Sequence, residues 1–536
     1  MSIIPNLLTQ NILNKILNSY GKTNQPVVVI AEFIKKFSVV CKLWKSDILR
    51  KLVLNVTIDF LYFAKYQRPL VVTAIKLMQI YGVQFKLNCK AKETETLQMF
   101  RNQINKMDSV DGFENFSNLN TILLEVDKYY NNDIDKLRIQ LKTVKETRPH
   151  IKICISHYFN ITDPNWINLY THDNVVNKLA FGRISIKIDY SVLPPLPTPP
   201  PKPNSLVKLE LFNLESTNTE IIEYILKYCS MSLQHLEIKD NFSQYNLENL
   251  TDIPMPSLKC IYYKTSRIYP MESVVKFINS TYSKKVSLSI KIKEYEPSQF
   301  KHLVINNHNI KNFKFSGLPR DITYLDLWQD LGTLKNINVY YHENLKGYNS
   351  YTNLEKLKIN TGKYLELYDG DASFKSFLNV LHSSRNLILL KLGQLRSSEL
   401  VVIMQSIKTL TKLWVELVYI GSQQNVNEIF NEIYCHQTLK KLYIYEYNSI
   451  PAFQVSGNFL QFLIDTLERN HVISDLQLPE VSDSSLSIDL LNQLDNTLSR
   501  NHSILFIGLT TEIEISPNYP ELLNILNKYL IETFLL

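Results

Sequence analysis

Leu463-Ile-Asp-Thr-Leu-Glu-Arg-Asn-His-Val-Ile-Ser-Asp-Leu-Gln-Leu478 recurs 31 residues later as Leu494-Asp-Asn-Thr-Leu-Ser-Arg-Asn-His-Ser-Ile-Leu-Phe-Ile-Gly-Leu509, with 8 of 16 positions identical. Each copy opens with apolar residues at i and i+4, the spacing of one helix face. Asn470 and Asn501 come next. Asn there predicts a helix end, because it tolerates the left-handed conformation of a C-terminal cap. Apolar residues then alternate at period two, which predicts a strand. One strand and one helix cannot bury their apolar side alone, whereas stacked copies close a continuous core.

The strand pattern, apolar-x-x-apolar-x-apolar, extends upstream from this pair. It runs through Leu206/Leu209/Leu211, Leu233/Leu236/Ile238, Leu258/Ile261/Tyr263 and Ile322/Leu325/Leu327. It continues through Leu334/Ile337/Val339, Leu354/Leu357/Ile359, Leu387/Leu390/Leu392 and Leu439/Leu442/Ile444. Amphipathic stretches at 220–229, 373–381, 399–407 and 425–434 predict helices between several of them. Fainter alternation at Phe85/Leu87/Cys89, Ile122/Leu124/Val126, Ile151/Ile153/Ile155 and Ile184/Ile186/Ile188 carries the period back to about residue 80. A helical stretch at 93–107 falls among these. A separate α/β domain over 80–190 is the other reading of that region.

This alternation resembles the leucine-rich-repeat family, and the last two copies resemble its longer, helix-bearing class. The family's Asn after the strand is matched at Asn213, Asn241 and Asn360 and is often missing elsewhere. The fold class this implies is α/β: a leucine-rich-repeat-like solenoid with a parallel sheet and helices on its convex side, over 204–536. Residues 53–203 read as connecting helices and weak early repeats. They end in a stretch, 194–203, in which seven of ten residues are proline. Such a stretch is extended polyproline II, either a stiff loop or a docking segment for an aromatic-lined module.

Residues 1–52 read as a separate small helical module. Pro5 precedes Leu7 and Leu8; Ile12/Leu13 and Ile16/Leu17 repeat at helical spacing; Phe37-Ser-Val-Val-Cys-Lys-Leu-Trp44 follows. Together these resemble an F-box. By that resemblance Pro5, Leu7, Leu8, Ile12 and Leu13 face a Skp-type adaptor of a cullin complex, and Val40, Cys41 and Trp44 complete the module. The other reading is a helical cap over the end of the repeat array, which such arrays require.

Composition narrows the function classes. Hydrophobic residues make up 45% of the 536, and charged residues 20%, as in a globular protein. The net charge of +7 comes from 58 basic and 51 acidic residues without a basic block in the sequence, so no nucleic-acid partner is expected. Six scattered cysteines, none within four residues of another, suit a reducing compartment. No signal peptide and no apolar run long enough for a membrane span is read, so the expected location is cytoplasmic or nuclear, with no membrane partner. Asn55-Val56-Thr57 is then a chance sequon.

No catalytic constellation is expected, and no cofactor or metal. Gly21-Lys22-Thr23 imitates the end of a phosphate-binding loop, but Ile16 stands where that loop needs glycine. His471 and His502 occupy one slot of successive repeats, which accounts for them better than a zinc site. No nucleophile elbow or His-Glu-x-x-His is present. The expectation is a non-enzymatic, protein-binding chain, the substrate-recognition subunit of a cullin-type ubiquitin ligase; the alternative is a repeat scaffold with no ubiquitin role. In either case the outward strand positions would carry the contacts: Tyr262, Tyr324, Trp328, Tyr340, Trp414, Tyr443 and Tyr445, interleaved with Lys264, Asp326, Lys356, Lys358, Glu416 and Lys441. Aromatics beside charges have the composition of binding hot spots. With 31 tyrosines in the chain, some are exposed by number alone.

Overall fold

The computed structural model describes Val53–Leu54 and Gln84–Phe85, which form a short parallel pair. From 121 to 535 it describes the strands, helices and most of their connections. The proposed helical module at 1–52 and the stretch at 93–107 lie outside the described residues. The chain is α/β, and it divides into two compact units. One holds the described residues up to Tyr269, with Ser280–Ser283 and Ser289–Lys291; the other holds Pro270–Asn279, Lys284–Leu288 and Ile292–Leu536.

In the first unit six strands pair in chain order, all parallel. They are β1 (Thr121–Val126), β2 (Lys152–His157), β3 (Lys178–Gly182), β4 (Lys208–Phe212), β5 (His235–Asp240) and β6 (Cys260–Tyr269). Parallel neighbours need a crossover, and helices α1 (Ile134–Thr147), α2 (Asn165–Thr171) and α3 (Thr219–Cys229) lie in these connections. Strands β3 and β4 pair directly, so the same sheet continues on both sides of the proline-rich connection at 194–203. Of that connection, 194–196 are described, and Tyr224 donates its hydroxyl to the Pro194 carbonyl at 2.9 Å.

The alternation at 122–126 and 151–155 forms strands whose Ile and Val side chains are buried. A strand that the early alternation did not mark lies just before the fourth expected one, at 184–188. Of Ile184/Ile186/Ile188, Ile184 lies outside the described residues, and Ile186 makes an isolated bridge to Ile161. The strand is Lys178–Gly182, and Val176, Leu179 and Phe181 supply its core at i, i+3 and i+5.

In the first unit α1 is tied to the turn after α2 at one buried carboxylate. Arg138 of α1 donates Nε to Asp173 Oδ2 at 2.6 Å and Nη2 to Oδ1 at 2.9 Å, and Lys142 Nζ lies 2.8 Å from Oδ1. Burial by itself would raise the Asp173 pKa, but the bonds from Arg138 and Lys142 outweigh it and hold the carboxyl below its ordinary range. A depressed carboxyl contributes stability above its unfolded pKa, and this contribution disappears as pH falls through the folded value. Arg138→Met is therefore expected to cost about 2 kcal/mol near neutral pH, by leaving a buried charge half-paired. Urea denaturation at several pH values should show that difference shrinking as the carboxyl titrates in acid. A difference independent of pH would count against the ion pair as its source.

In the second unit β7 (Lys285–Ile292) contributes Lys285–Leu288 and Ile292, and the O of the preceding Lys284 accepts from Lys311 N at 2.9 Å. From there the order is β8 (Asn312–Ser316), β9 (Asn336–Val339), β10 (Lys356–Ile359), β11 (Leu389–Arg396), β12 (Lys412–Tyr419) and β13 (Lys441–Ile444). These strands are parallel in that order. A separate short pair joins β14 (Val455–Asn458) to β16 (Val481–Asp483). The main order continues from β13 through β15 (Asp475–Gln477) and β17 (Phe506–Leu509) to β18 (Glu532–Leu535). Between strands run α5 (Met271–Ser280), α6 (Asp371–Ser383), α7 (Ser397–Ser406), α8 (Gln423–Cys435), α9 (Phe459–Arg469), α10 (Ile488–Arg500) and α11 (Tyr519–Lys528); the first unit also holds the short α4 (Leu247–Thr251).

The expected triples at 206–211, 233–238, 258–263, 354–359, 387–392 and 439–444 are all buried, none more than 3% exposed. Ile322/Leu325/Leu327 differs: Ile322 lies outside the described residues, and Leu325 and Leu327 are buried but not in a strand. Tyr324–Leu327 is a 3₁₀ turn, and the strand at this point is β8, carried by Ile310/Phe313/Phe315. Leu410/Leu413/Val415 is a further buried triple of the same form.

The quoted pair of repeats folds as helix then strand. Asn458 caps α9 by accepting from Leu460 N and Gln461 N, and Ser487 caps α10 by accepting from Leu490 N. Leu463, Ile464 and Leu467 bury one face of α9; Leu491, Leu494 and Leu498 bury that of α10. The helix ends differ from the expected cap. Asn470 (φ −119°) and Asn501 (φ −95°) are extended, not left-handed. Their side chains are buried instead, as hydrogen-bond connectors. Asn470 donates Nδ2 to Ile433 O at 2.7 Å and His436 O at 3.0 Å, and accepts from Val472 N and Ile473 N. Asn501 repeats this one copy on, donating to Leu467 O and Asn470 O. The left-handed residues among those described are Asn174 and Asn213, the latter being one of the expected post-strand asparagines.

Candidate interaction face

Side chains on neighbouring strands that are not in the buried triples align in rows across each sheet, because parallel strands in register place equivalent positions side by side. In the first unit one such row runs Ala180, Glu210, Glu237, Tyr262. Its charges are satisfied internally. Glu210 takes Lys178 at 2.9 Å and Lys208 at 2.6 Å; burial opposes its ionised form, but these lysines hold its pKa down. Lys239 sits 2.6 Å from Glu237 and about equally over the Phe212 and Tyr262 rings, at 5.1 and 5.2 Å. Tyr262 is half-buried under that lysine, and Lys264 is exposed.

The second unit carries two long rows. The first is Asn312, Asn336, Lys356, Leu389, Lys412, Lys441; the second is Lys314, Asn338, Lys358, Lys391, Trp414, Tyr443. Trp414 and Tyr443 meet edge to face, with ring centroids 5.4 Å apart and planes at 71°. Tyr443 donates its hydroxyl to Asp475 Oδ1 at 3.1 Å, and Lys441 Nζ reaches the same oxygen at 2.6 Å. Burial would raise Asp475, but Lys441, Ser474 and Tyr443 hold its carboxyl low. Trp414 and Tyr443 are therefore half-buried components of the sheet surface as well as outward-facing groups.

The expected contact residues separate into three sets. Tyr262, Trp414 and Tyr443 occupy outward rows, as do Lys356, Lys358 and Lys441. Trp328 does not: it is 6% exposed and packs on Phe313 at 5.0 Å between ring centroids. The register slip at 322–327 explains the difference, because Trp328 follows a 3₁₀ turn and not a strand. Tyr324 lies in that turn, while Tyr340 and Tyr445 lie outside the described residues. The F-box-like residues Pro5, Leu7, Leu8, Ile12, Leu13, Val40, Cys41 and Trp44 also lie outside them. Sequence reasoning missed Lys314, Lys391 and Lys412. Each sits beside a buried strand residue, between Phe313 and Phe315, between Leu390 and Leu392, or just before Leu413.

Among the described residues no group of three His, Cys, Asp or Glu is placed to hold a metal ion. His471 and His502 are both exposed. Cys154, Cys229 and Cys435 are free thiols, and burial pushes the Cys229 thiol up to about 12. No helix among the described residues is long and apolar enough to cross a membrane. No protein-family model matches the chain, and no curated protein matches it.

Proposed function

We propose that this chain is a leucine-rich-repeat-like solenoid that captures another protein on the outward rows of its parallel sheet. In this reading residues 5–49 act as an F-box, docking on a Skp-type adaptor and bringing the captured protein to a cullin-type ubiquitin ligase. The chain itself makes and breaks no bond. The observation that supports capture is the pair of rows in the second unit, where lysines and asparagines run across six successive strands and meet Trp414 and Tyr443 on the last two. Alanine substitution at binding surfaces identifies such aromatic-centred clusters as the places where affinity concentrates.

The ligase part rests on the sequence resemblance at 5–49 and is tested there. Tagged full-length chain, recovered from cells, is expected to carry the adaptor and the cullin. Leu8→Asp with Trp44→Ala is expected to abolish that recovery, since it puts a charge on the docking face and opens a cavity costing about 3–5 kcal/mol in a small bundle. Circular dichroism of the variant should retain the mixed helix and strand signal. If the unsubstituted chain recovers no adaptor, the ubiquitin role falls, and a capture scaffold without it stands in its place.

A further inference from the structure

One position in the second unit is an asparagine in three copies and a histidine in a fourth. It lies three residues before the first residue of a buried triple. Asn307, Asn470 and Asn501 hold it ahead of Ile310, Ile473 and Ile504, and all three asparagines are buried. Each accepts at Oδ1 from the backbone of the connection that follows: Asn307 from Asn309 N at 2.9 Å, Asn470 from Val472 N and Ile473 N, Asn501 from Ser503 N. Each donates from Nδ2 into the last turn of the helix one copy back, to Ile278 O, Ile433 O or Leu467 O. An amide carries a donor and an acceptor together and does not titrate, so these links are indifferent to pH.

His436 holds the same place ahead of Leu439. It is 2% exposed, and its Nδ1 accepts from Leu439 N at 3.1 Å and from Thr438 N at 3.4 Å. The imidazole thus reproduces the accepting half of the amide. Accepting needs a nitrogen without hydrogen, so the neutral ring carries its proton on Nε2. Nε2 is buried and meets no acceptor. The histidine is nonetheless part of the chain of links, since Asn470 donates Nδ2 to its carbonyl at 3.0 Å.

A second proton would have to sit on Nδ1, against two backbone N–H groups already aimed at that atom. Charges around the ring do not make this easier. Lys408, in the connection after α7, opposes a positive ring. Glu432 of α8 favours one, but its carboxylate is also held by Gln405 Nε2 at 2.8 Å. From α9 comes the neutral amide of Asn470. Burial first, then Lys408, lower the His436 pKa from its ordinary value near 6.5.

We infer that His436 is an acid-sensitive link in the array, a switch that lets go of the connection at 436–439 when its ring is protonated. That connection leads into β13, whose Tyr443 stands edge to face with Trp414 of β12. Release therefore loosens the outward surface at this pair. The inference rests on the repeat geometry and is independent of what the rows capture. A group whose folded pKa lies below its unfolded value contributes stability that is present above the unfolded value, here near 6.5. That contribution is lost as pH falls through the folded value.

Hydrogen exchange of the full chain, corrected for the intrinsic pH dependence of amide exchange, tests this between about pH 7.5 and 5.5, a unit on either side of the ordinary histidine value. Protection of the segment holding Thr438 and Leu439 is expected to fall several-fold, up to about tenfold, the most that one proton gives per pH unit. The segment holding Val472 and Ile473, bonded to an asparagine, should keep its protection. His436→Asn puts the amide of the other copies in this place and should abolish the response at 438–439. An equal loss in both segments, no loss at 438–439, or a loss that persists in His436→Asn overturns the inference. Should that variant fold poorly, the comparison of the two segments within the unsubstituted chain decides.

Discussion

Asn470→Leu is expected to destabilise the second unit by about 3–5 kcal/mol, since it strands four backbone groups at once. Leucine is close in size, so little cavity forms. What it removes is hydrogen bonding: Ile433 O and His436 O lose their donor, and Val472 N and Ile473 N lose their acceptor. Asn470 is 3% exposed, so water cannot readily replace the side chain. An unsatisfied buried group costs its own desolvation, which is why deleting one partner is worse than the net value of the bond. Asn501→Leu should cost less. Two of the bonds Asn501 accepts come from Ser503, which is half-buried and can turn to water. Urea midpoints followed by far-ultraviolet circular dichroism give the ordering. A loss below about 1 kcal/mol for Asn470→Leu would show that these bonds are dispensable.

Trp166→Ala is expected to cost the first unit about 3–5 kcal/mol, the range for emptying a large buried aromatic site. Trp166 is 0% exposed in α2. It stands edge to face with His157 at 4.7 Å, and His157 is bonded through Nδ1 to the Tyr170 hydroxyl at 2.6 Å. Phe181 of β3 closes the cluster, 5.6 Å from Tyr170. Removing the indole therefore loosens the contact between a short helix and two strands. A seven-residue helix has little intrinsic stability and depends on such packing. Trp166→Phe keeps most of the volume and should cost less. Hydrogen exchange should accelerate in β2, α2 and β3 of the alanine variant while amides of β12 to β17 keep their protection. An even acceleration across both units would contradict a local role.

What was legible in the sequence follows from the physics of each signal. The buried triples are periodic and strongly apolar, so Leu357/Ile359 or Leu442/Ile444 could be read directly. The strand of Phe313 and Phe315 was missed because Ile322, Leu325 and Leu327 offered the same spacing a few residues on. Periodicity alone cannot tell a strand from a 3₁₀ turn that buries the same residues. That misreading placed Trp328 outward, because period-two alternation does not carry through a 3₁₀ turn, and Leu327 and Trp328 are both buried. Asn470 and Asn501 were correctly marked as helix-ending positions, but through the wrong mechanism: backbone preference is visible locally, whereas the carbonyls they bind lie 31 to 37 residues away. Lys314, Lys391 and Lys412 were missed for a similar reason. They are spread from 314 to 412, and only the parallel register sets them in the rows that hold Lys356 and Lys358.

The buried asparagines also bear on how such a chain can lengthen. Each of Asn470 and Asn501 reaches back to carbonyls of the preceding copy, and those carbonyls belong to the backbone, which every sequence provides. A duplicated segment of 31 residues therefore arrives with its own attachment and asks nothing of the side chains it lands on. Growth by tandem copying needs no compensating change in the older copy. The 8 identities retained between 463–478 and 494–509 include this asparagine and its flanking Arg and His. Descent from one ancestral segment, with the fastening, much of the core and the exposed Arg and His kept, gives that residue pattern directly.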